Sequence, residues 1–548
     1  MMKKKNQVRN YNNLINRRQA ISKIAAVSAG LGVAVVAAGI GGYLAGTQTA
    51  PARTVEKTVT VPGAEKTVIV ERTVEKTVTL STTSPTVSPT KPAERFEGVK
   101  LSYISMSGPP ADGVKVLAPK IKEKYGIDVE VIDVPWEVYF SKLTTEFVSG
   151  KAVYDVAWLD TVFMPAYVEL GILQPIDDLI ESDKDVLPPM DEFVPIQVDY
   201  ATYGGKFYAW FYTCNFNNLW VRSDILLDPK NKEGFEKQYG YPIDEFIKQP
   251  DWIKFNDVIE YFHKPPEMYG YVQPLVWPQL SFPAWHTRWF TLTGKPEIDE
   301  DWEPWFDRMG LNGIMSIELI KYQMKFMPPG ILSMDNPDAA SIYFAGKAAV
   351  MTGWDTFVLG QIAQLKGDPN AAKIIKNTIH LQPIGGPKGH AVYTNIGHLI
   401  GITTAVKDPV RRRAAWTLIK EVTSPENEPL RAAQSGQGPA TKTGWRLFAQ
   451  SNPDIANMVE RISEYMSHSC GVAYGPYVGD IITAFQNNLA PAVAGEKDPE
   501  KALKDIADAY RSFYAEYKKK GIKNTHGLNI PPWKGEDYTD KLRKQIGL

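Results

Sequence analysis

Val99-Lys100-Leu101-Ser102-Tyr103-Ile104 alternates apolar and polar side chains, and two further runs follow it, Asp128-Val129-Glu130-Val131-Ile132-Asp133-Val134 and Tyr154-Asp155-Val156-Ala157-Trp158-Leu159. Successive side chains of a strand point to opposite faces, so the pattern predicts strands over residues 99–104, 128–134 and 154–159. A helix-like segment ending at Lys124 separates the first two runs. Phe140, Leu143 and Phe147, at spacings of three and four, mark a helix between the second and third. Strand and helix thus alternate with short Gly or Pro punctuation, which argues for an α/β layer with a largely parallel sheet. Catalysis does not follow from such a layer.

Working outward toward the N-terminus, residues 1–46 begin with Lys3, Lys4, Lys5 and Arg9, pass Arg17 and Arg18, and enter an uncharged stretch from Ile24 to Gly46. That is the pattern of an export signal or a membrane anchor, and its length and weak apolarity leave both open. Asn16-Arg17-Arg18-Gln19-Ala20-Ile21-Ser22-Lys23 resembles a twin-arginine export signal, with Ala20 in place of the usual aromatic and the lysine one position late. The alternative is an ordinary positive leader region. No cysteine follows closely, so any tether is the helix itself rather than a lipid on a processed N-terminal cysteine. Residues 47–95 carry three related units, Val55-Glu56-Lys57-Thr58-Val59, Ala64-Glu65-Lys66-Thr67-Val68 and Val74-Glu75-Lys76-Thr77-Val78, then a Ser/Thr/Pro run from Ser81 to Pro92. Lacking the large apolar side chains that offset chain entropy, this reads as an extended stalk open to glycosylation, with strand pairing of the alternating valines as the other reading.

The 548-residue length predicts two or three folded units, and 44% apolar with 22% charged residues is ordinary globular composition. A net charge of -1 offers no basic footprint for nucleic acid. Cys214 and Cys470 are too few for a disulfide framework or a cysteine zinc site, and whether they pair or stay as buried thiols is open. No GxSxG or HExxH motif is present, and no motif implies a catalytic residue, metal, cofactor or nucleotide. The surplus is aromatic, 14 Trp, 26 Tyr and 21 Phe, which hints at stacking surfaces beyond a core.

Several motifs in order carry a resemblance. Gly126-Ile127-Asp128-Val129-Glu130-Val131, Pro135-Trp136, Phe147-Val148-Ser149-Gly150, Tyr154-Asp155-Val156 with Asp160, and Gly171-Ile172-Leu173-Gln174-Pro175-Ile176-Asp177-Asp178 come first. Gly205-Lys206-Phe207-Tyr208-Ala209 and Leu219-Trp220-Val221-Arg222-Ser223-Asp224 follow, then Phe344-Ala345-Gly346-Lys347-Ala348-Ala349-Val350-Met351 leading to Trp354. Pro383-Ile384-Gly385-Gly386-Pro387, Gly397, Ala414-Ala415-Trp416, Thr423-Ser424-Pro425-Glu426 and Gly438-Pro439-Ala440 complete the set. Over roughly residues 99–495 the chain resembles extracellular solute-binding proteins of the maltose-binding class, which serve sugar importers. The resemblance implies a two-lobed periplasmic-binding-protein-like α/β fold, each lobe a mixed sheet flanked by helices, joined by hinge crossings. It puts residues 96–212 and 384–438 in lobe 1 and 213–383 and 439–548 in lobe 2, with a hinge near Cys214 to Asn217. It also implies an aromatic facing the ligand at Trp354 and another at Tyr477. Two departures stand out: the family's usual lipid-modified cysteine is missing, and residues 230–303, rich in Trp and Pro, match none of its motifs.

A sugar has polar edges and a less polar face, so a site for it needs flat aromatics together with carboxylate or amide groups. Beside Trp354 and Tyr477, the candidates are Trp136 at a strand end, Asp160 after the third strand, Trp210 and Tyr212 before the hinge, Asp355, Trp277, Trp285, and the pair Asn395 and His398. Each has a plainer reading: packing for the aromatics, an N-cap for Asp160 and a structural role for His398. Burying one large apolar side chain yields about 1.5–3 kcal/mol, against about 8 kcal/mol for micromolar binding, so several groups must act together. The expected function is capture of a sugar or oligosaccharide outside the cytoplasm by a monomer that delivers it to importer permease subunits. The N-terminal segment, if uncleaved, would hold the chain to the membrane. The alternatives are a binding protein for peptides or another polar solute and, further off, a secreted glycoside hydrolase, which would need two carboxyl groups about 5–10 Å apart.

Overall fold

The computed structural model describes residues 94–548 except 278, 366, 390–391, 394–396, 460–461, 463–468, 471–476, 525–529, 531 and 533. The segments expected to be an export signal or anchor (1–46) and nearly all of the stalk (47–95), together with Asn395, lie outside the described residues.

In chain order, the first sheet is begun by β1 (Lys100–Met106), α1 (Pro109–Tyr125), β2 (Asp128–Val134), α2 (Trp136–Val148), β3 (Val156–Asp160), α3 (Met164–Glu169) and β4 (Trp210–Thr213). A second set follows: β5 (Asn217–Arg222), α4 (Trp252–Tyr261), β6 (Tyr269–Val272), α5 (His286–Thr293), α6 (Gly310–Met324), α7 (Asn336–Phe344), β7 (Ala348–Trp354) and β8 (Thr378–Leu381). The chain then returns with β9 (His398–Ile402), α8 (Pro409–Val422) and α9 (Glu428–Ser435), and ends in helices that include α10 (Val478–Val493) and α11 (Pro499–Lys519). Local chemistry sets these bounds. Pro109 opens α1, where its missing N–H costs nothing, and Gly126 closes it in the left-handed region with its N–H on the Lys122 carbonyl, so that the helix ends at Tyr125, one residue past the end expected from the sequence.

The strands form a five-stranded sheet, β2-β1-β3-β9-β4, and a four-stranded sheet, β8-β5-β7-β6. Both are mixed. In the first, β1 pairs parallel with β2 and β3, while β9 runs antiparallel to β3 and β4. In the second, β7 pairs parallel with β6 and antiparallel with β5, which is antiparallel to β8. The largely parallel layer expected from the first three strands is thus corrected, and the reason is the path of the chain. Strands β1, β2 and β3 end on the side facing the second sheet. A strand that re-enters from that sheet, as β9 does, must run the other way.

The chain passes between sheets at Cys214–Phe216 and again between β8 and β9. The later passage at Gly438 and Pro439 is bonded to the first: Thr213 Oγ1 donates to the Gly438 carbonyl at 2.6 Å and Cys214 N–H to the Pro439 carbonyl at 3.0 Å. Cys214 is buried as a free thiol whose pKa burial pushes well up, and the Cys470 side chain lies outside the described residues. Each lobe has its own aromatic core. Trp210 meets Trp416 edge-on at 5.7 Å in the first, and Trp285, Trp289, Phe306 and Phe485 cluster in the second. Helix α11 packs on α6 and α10 in the second lobe, and from it Tyr517 reaches the first lobe. Its hydroxyl donates to both Glu169 carboxylate oxygens, at 2.8 and 2.9 Å, beside a further bond from Tyr203.

Candidate functional site

The passages fix where side chains can converge. Strands β1, β2 and β3 of the first lobe and β6 and β7 of the second all finish at the gap between the sheets, so the residues just past their carboxyl ends face one another. Open α/β sheets place ligand groups at such ends. A cavity of about 310 Å³ lies there, lined from one lobe by Met106, Pro110, Trp136, Asp160 and His398 and from the other by Trp277, Gln279, Asn336, Trp354 and Phe357, with Asn215 at the passage. That size falls within the roughly 300–1,000 Å³ of ordinary small-molecule sites, at their lower end.

Trp136 and Trp354 are held by their indole nitrogens. Trp136 Nε1 donates to Asp160 Oδ2 at 3.1 Å, and Trp354 Nε1 donates to Gln279 Oε1 at 2.7 Å. Asp160 also caps the turn after β3, accepting from Val162 N–H at 3.3 Å, so the capping and lining positions are the same residue. Asn336, at the start of α7, is buried, and its Oδ1 meets no donor among the described residues. The arrangement offers indole faces for an apolar surface, with the carboxylates of Asp160 and Asp335, a glutamine and an asparagine oxygen for hydroxyl donors.

His398 lies in the wall, edge-on to Trp158 at 4.7 Å, and its pKa falls to about 3, first through burial and then through the Arg431 charge. With a folded pKa below the unfolded value of about 6.5, the neutral ring contributes stability above that value, and the contribution is lost as pH falls toward 3. The expected outcome is a His398 imidazole that NMR finds neutral from pH 5 to 8, and a His398→Gln variant whose unfolding free energy falls less on acidification than the wild type's. A His398 titration midpoint between 6 and 7 in the folded protein would contradict this.

The other sequence candidates stand elsewhere. Trp210 and Trp285 are buried in the cores of their lobes, and the Trp285 indole donates to Ser316 Oγ at 2.7 Å. Tyr212 is buried beneath Pro110, donating its hydroxyl to the Pro110 carbonyl at 2.7 Å under the Arg431 guanidinium, so it supports the wall without lining it. Asp355 is buried at the passage, where Oδ1 accepts from Phe216 N–H at 3.2 Å and Thr356 N–H at 2.7 Å, and burial drives its pKa well up. Tyr477 stacks on Phe513 at 6.2 Å and borders Tyr514 and Tyr517, in the cluster that reaches Glu169. For these five the structure replaces the expectation of a lining residue with packing or support, because their partners lie far away in sequence. Asn215, Gln279 and Asn336 were missed. Gln279 lies beyond the end of β6, inside the 230–303 segment that matches none of the family's motifs.

Among the described residues no helix is long and apolar enough to cross a membrane, and no group of three or more His, Cys, Asp or Glu could hold a metal ion.

Solved structures share this architecture. An ABC transporter solute-binding protein from Agrobacterium radiobacter K84, in complex with ribitol, is 20% identical with a TM-score of 0.59, covering 77% of this chain and 100% of its own. Maltose-bound MalE3 of T. maritima is 19% identical with a TM-score of 0.61, covering 76% and 100%. The sugar-binding protein MalE from the phytopathogen Xanthomonas citri is 18% identical with a TM-score of 0.60, covering 77% and 99%. At these identities the likeness shows the two-lobed fold. No curated protein matches the chain by sequence. A family model does: that of the bacterial extracellular solute-binding proteins matches residues 107–429, more than half of the chain and nearly every strand that frames the cavity. With that match added to the two mixed sheets and the cavity between them, the chain belongs to the bacterial extracellular solute-binding proteins.

Proposed function

We propose that this protein is the extracytoplasmic binding component of an ABC importer and takes a sugar or short oligosaccharide between its lobes. The observation that carries this reading is one cavity lined by Trp136, Trp277 and Trp354 together with Asp160, Gln279 and Asn336, drawn from both lobes. Indole faces stack on sugar rings while carboxylate and amide oxygens take their hydroxyls, and neither demand requires a reaction. The sugar and polyol ligands of the similar structures agree with this chemistry. On this reading the chain binds its solute unchanged and does not act as an enzyme. A ligand that touches both lobes favours the closed arrangement by its differential affinity, and the permease recognises that arrangement.

The test is titration of the full chain with monosaccharides, oligosaccharides, peptides and polyamines, followed by tryptophan fluorescence and thermal midpoint, with the sugar recovered afterwards. Saturable binding of an unmodified sugar supports the reading. A response to peptides alone, or cleavage of the sugar, overturns it.

On the same reading the Tyr517 to Glu169 contact, which bridges the two lobes, belongs to the closed arrangement and helps to hold it. Hydrogen bonds to a partly exposed carboxylate contribute about 0.5–1 kcal/mol, so Glu169→Gln and Tyr517→Phe should each weaken solute affinity by roughly two- to fivefold, chiefly through faster release. The double variant should be little worse than either single one, as expected of two halves of one contact. Stopped-flow release rates unchanged in both variants would remove this contact from the closing mechanism.

A further inference from the structure

A second cavity, of about 30 Å³, lies in the second lobe and shares no lining residue with the first; Asn217, Asn218, Trp252, Thr287 and Arg288 are among its walls. Arg288 is buried on α5. Every group that accepts from it is neutral: Nη1 donates to the Ala284 carbonyl at 2.6 Å, Nε to Gln323 Oε1 at 3.0 Å, and Nη2 to Gln273 Oε1 at 3.2 Å and again to Gln323. Its flat face lies 5.0 Å from the Trp252 ring centre. Among the described residues the hydrogen-bond network leads to a carboxylate only through Gln323, Asn256 and Gln545 in turn, ending at Asp257. A guanidinium with no adjacent negative charge is costly to bury, because its lost hydration is repaid only by an opposite charge or a full set of strong acceptors.

The same cavity presents two more donors. The Nδ2 groups of Asn217 and Asn218 are buried and find no acceptor among the described residues, although Asn218 is itself only 3% exposed. Buried amide donors without a partner are rare, and two beside a buried cation point the same way. The volume holds roughly one or two water-sized particles and is far too small for a sugar ring. We infer that this cavity is a binding site for a small monovalent inorganic anion of chloride size, held by the charge of Arg288 and the amide donors of Asn217 and Asn218. The ion neutralises the core of the second lobe and fixes the start of β5, which leads out of the first passage between the lobes. This site is independent of the solute cavity.

The test compares the thermal midpoint of the full chain in sodium chloride and sodium gluconate at equal ionic strength, and seeks anomalous scattering in crystals grown with bromide. The expected result is a saturable rise in midpoint with chloride and a bromide peak within hydrogen-bond reach of Arg288 and Asn218. Arg288→Met should abolish both. Should that variant fail to fold, Asn218→Asp keeps the test alive: a carboxylate in the cavity supplies the counter-charge, so it should fold, lose the chloride response and show no bromide. Equal midpoints in the two salts with no bromide peak overturn the inference. Sugar titration of Asn218→Asp separates this outcome from failure of the proposed function, because the solute cavity is left intact.

Discussion

Trp354→Ala should lower affinity for the captured sugar by roughly 30- to 1,000-fold, the range expected when a central aromatic contact worth about 2–4 kcal/mol is removed. The reason is position. Trp354 is the last residue of β7, a strand buried along its whole length, so its backbone is fixed, and Gln279 pins the indole nitrogen at 2.7 Å. A ring so held loses little entropy when a sugar stacks on it, and that preorganisation is what truncation to Ala discards. Trp354→Phe keeps a flat face but loses the bond to Gln279, and its affinity should fall between the two. Calorimetric titration of the three proteins checks the order. Since Trp354 is only 4% exposed, the Ala variant also loses stability, and its folding is verified at the titration temperature. An Ala variant that folds and binds within about threefold of wild type would remove Trp354 from the site, well short of a central aromatic's usual effect.

Gly397→Ala should destabilise the fold by roughly 4 kcal/mol or more, beyond the effect of most single substitutions. Gly397 has φ of +77°, and a Cβ there would lie 1.8 Å from the Thr213 carbonyl oxygen and 2.6 Å from its carbonyl carbon. The backbone conformation alone costs an L-residue about 1–3 kcal/mol. The collision adds to it, and backbone atoms cannot swing aside as a flexible side chain can. Thr213 ends β4 at the first passage and Gly397 immediately precedes β9, so the substitution pushes two passages apart where the lobes join. Denaturant unfolding should report a lower midpoint, with solute binding impaired even where the variant is mostly folded. Wild-type stability in the Ala variant would show that the two segments do not approach this closely.

Strands β1 and β2 were legible because polar residues interrupt the apolar ones along them; β3, buried along its whole length, was legible only as a short apolar run after a helix. In β1, Lys100 is exposed while Leu101, Tyr103 and Ile104 are buried, and the alternation is written in the residues. Strand β9 gives no such signal: all of His398–Ile402 is buried, so the run could be a strand of either direction or a piece of buried helix. The mixed character of the sheets, which depends on direction, therefore escaped the local pattern. The site was partly legible for the same reason. Asp160 and Trp136 follow recognisable strands, and position alone sends them to the gap. Gln279 and Asn336 follow or begin elements in the second lobe, where no motif guided the reading.

Taken alone, the sequence determined the class of the fold, since alternation, spacing and ordered motifs are local properties that a chain carries with it wherever it lies. Its net charge of -1 also shows no overall basic excess of the kind that neutralises phosphates. Only the tertiary structure decided which aromatics face the solute cavity. Trp354 and Trp210 are equally large, each lies in a strand, and both are buried, but Trp210 is enclosed by Phe193 and Trp416 while Trp354 lines the gap where strands from both lobes finish. What a side chain meets is set by partners brought from distant parts of the chain, and residue type carries no record of them.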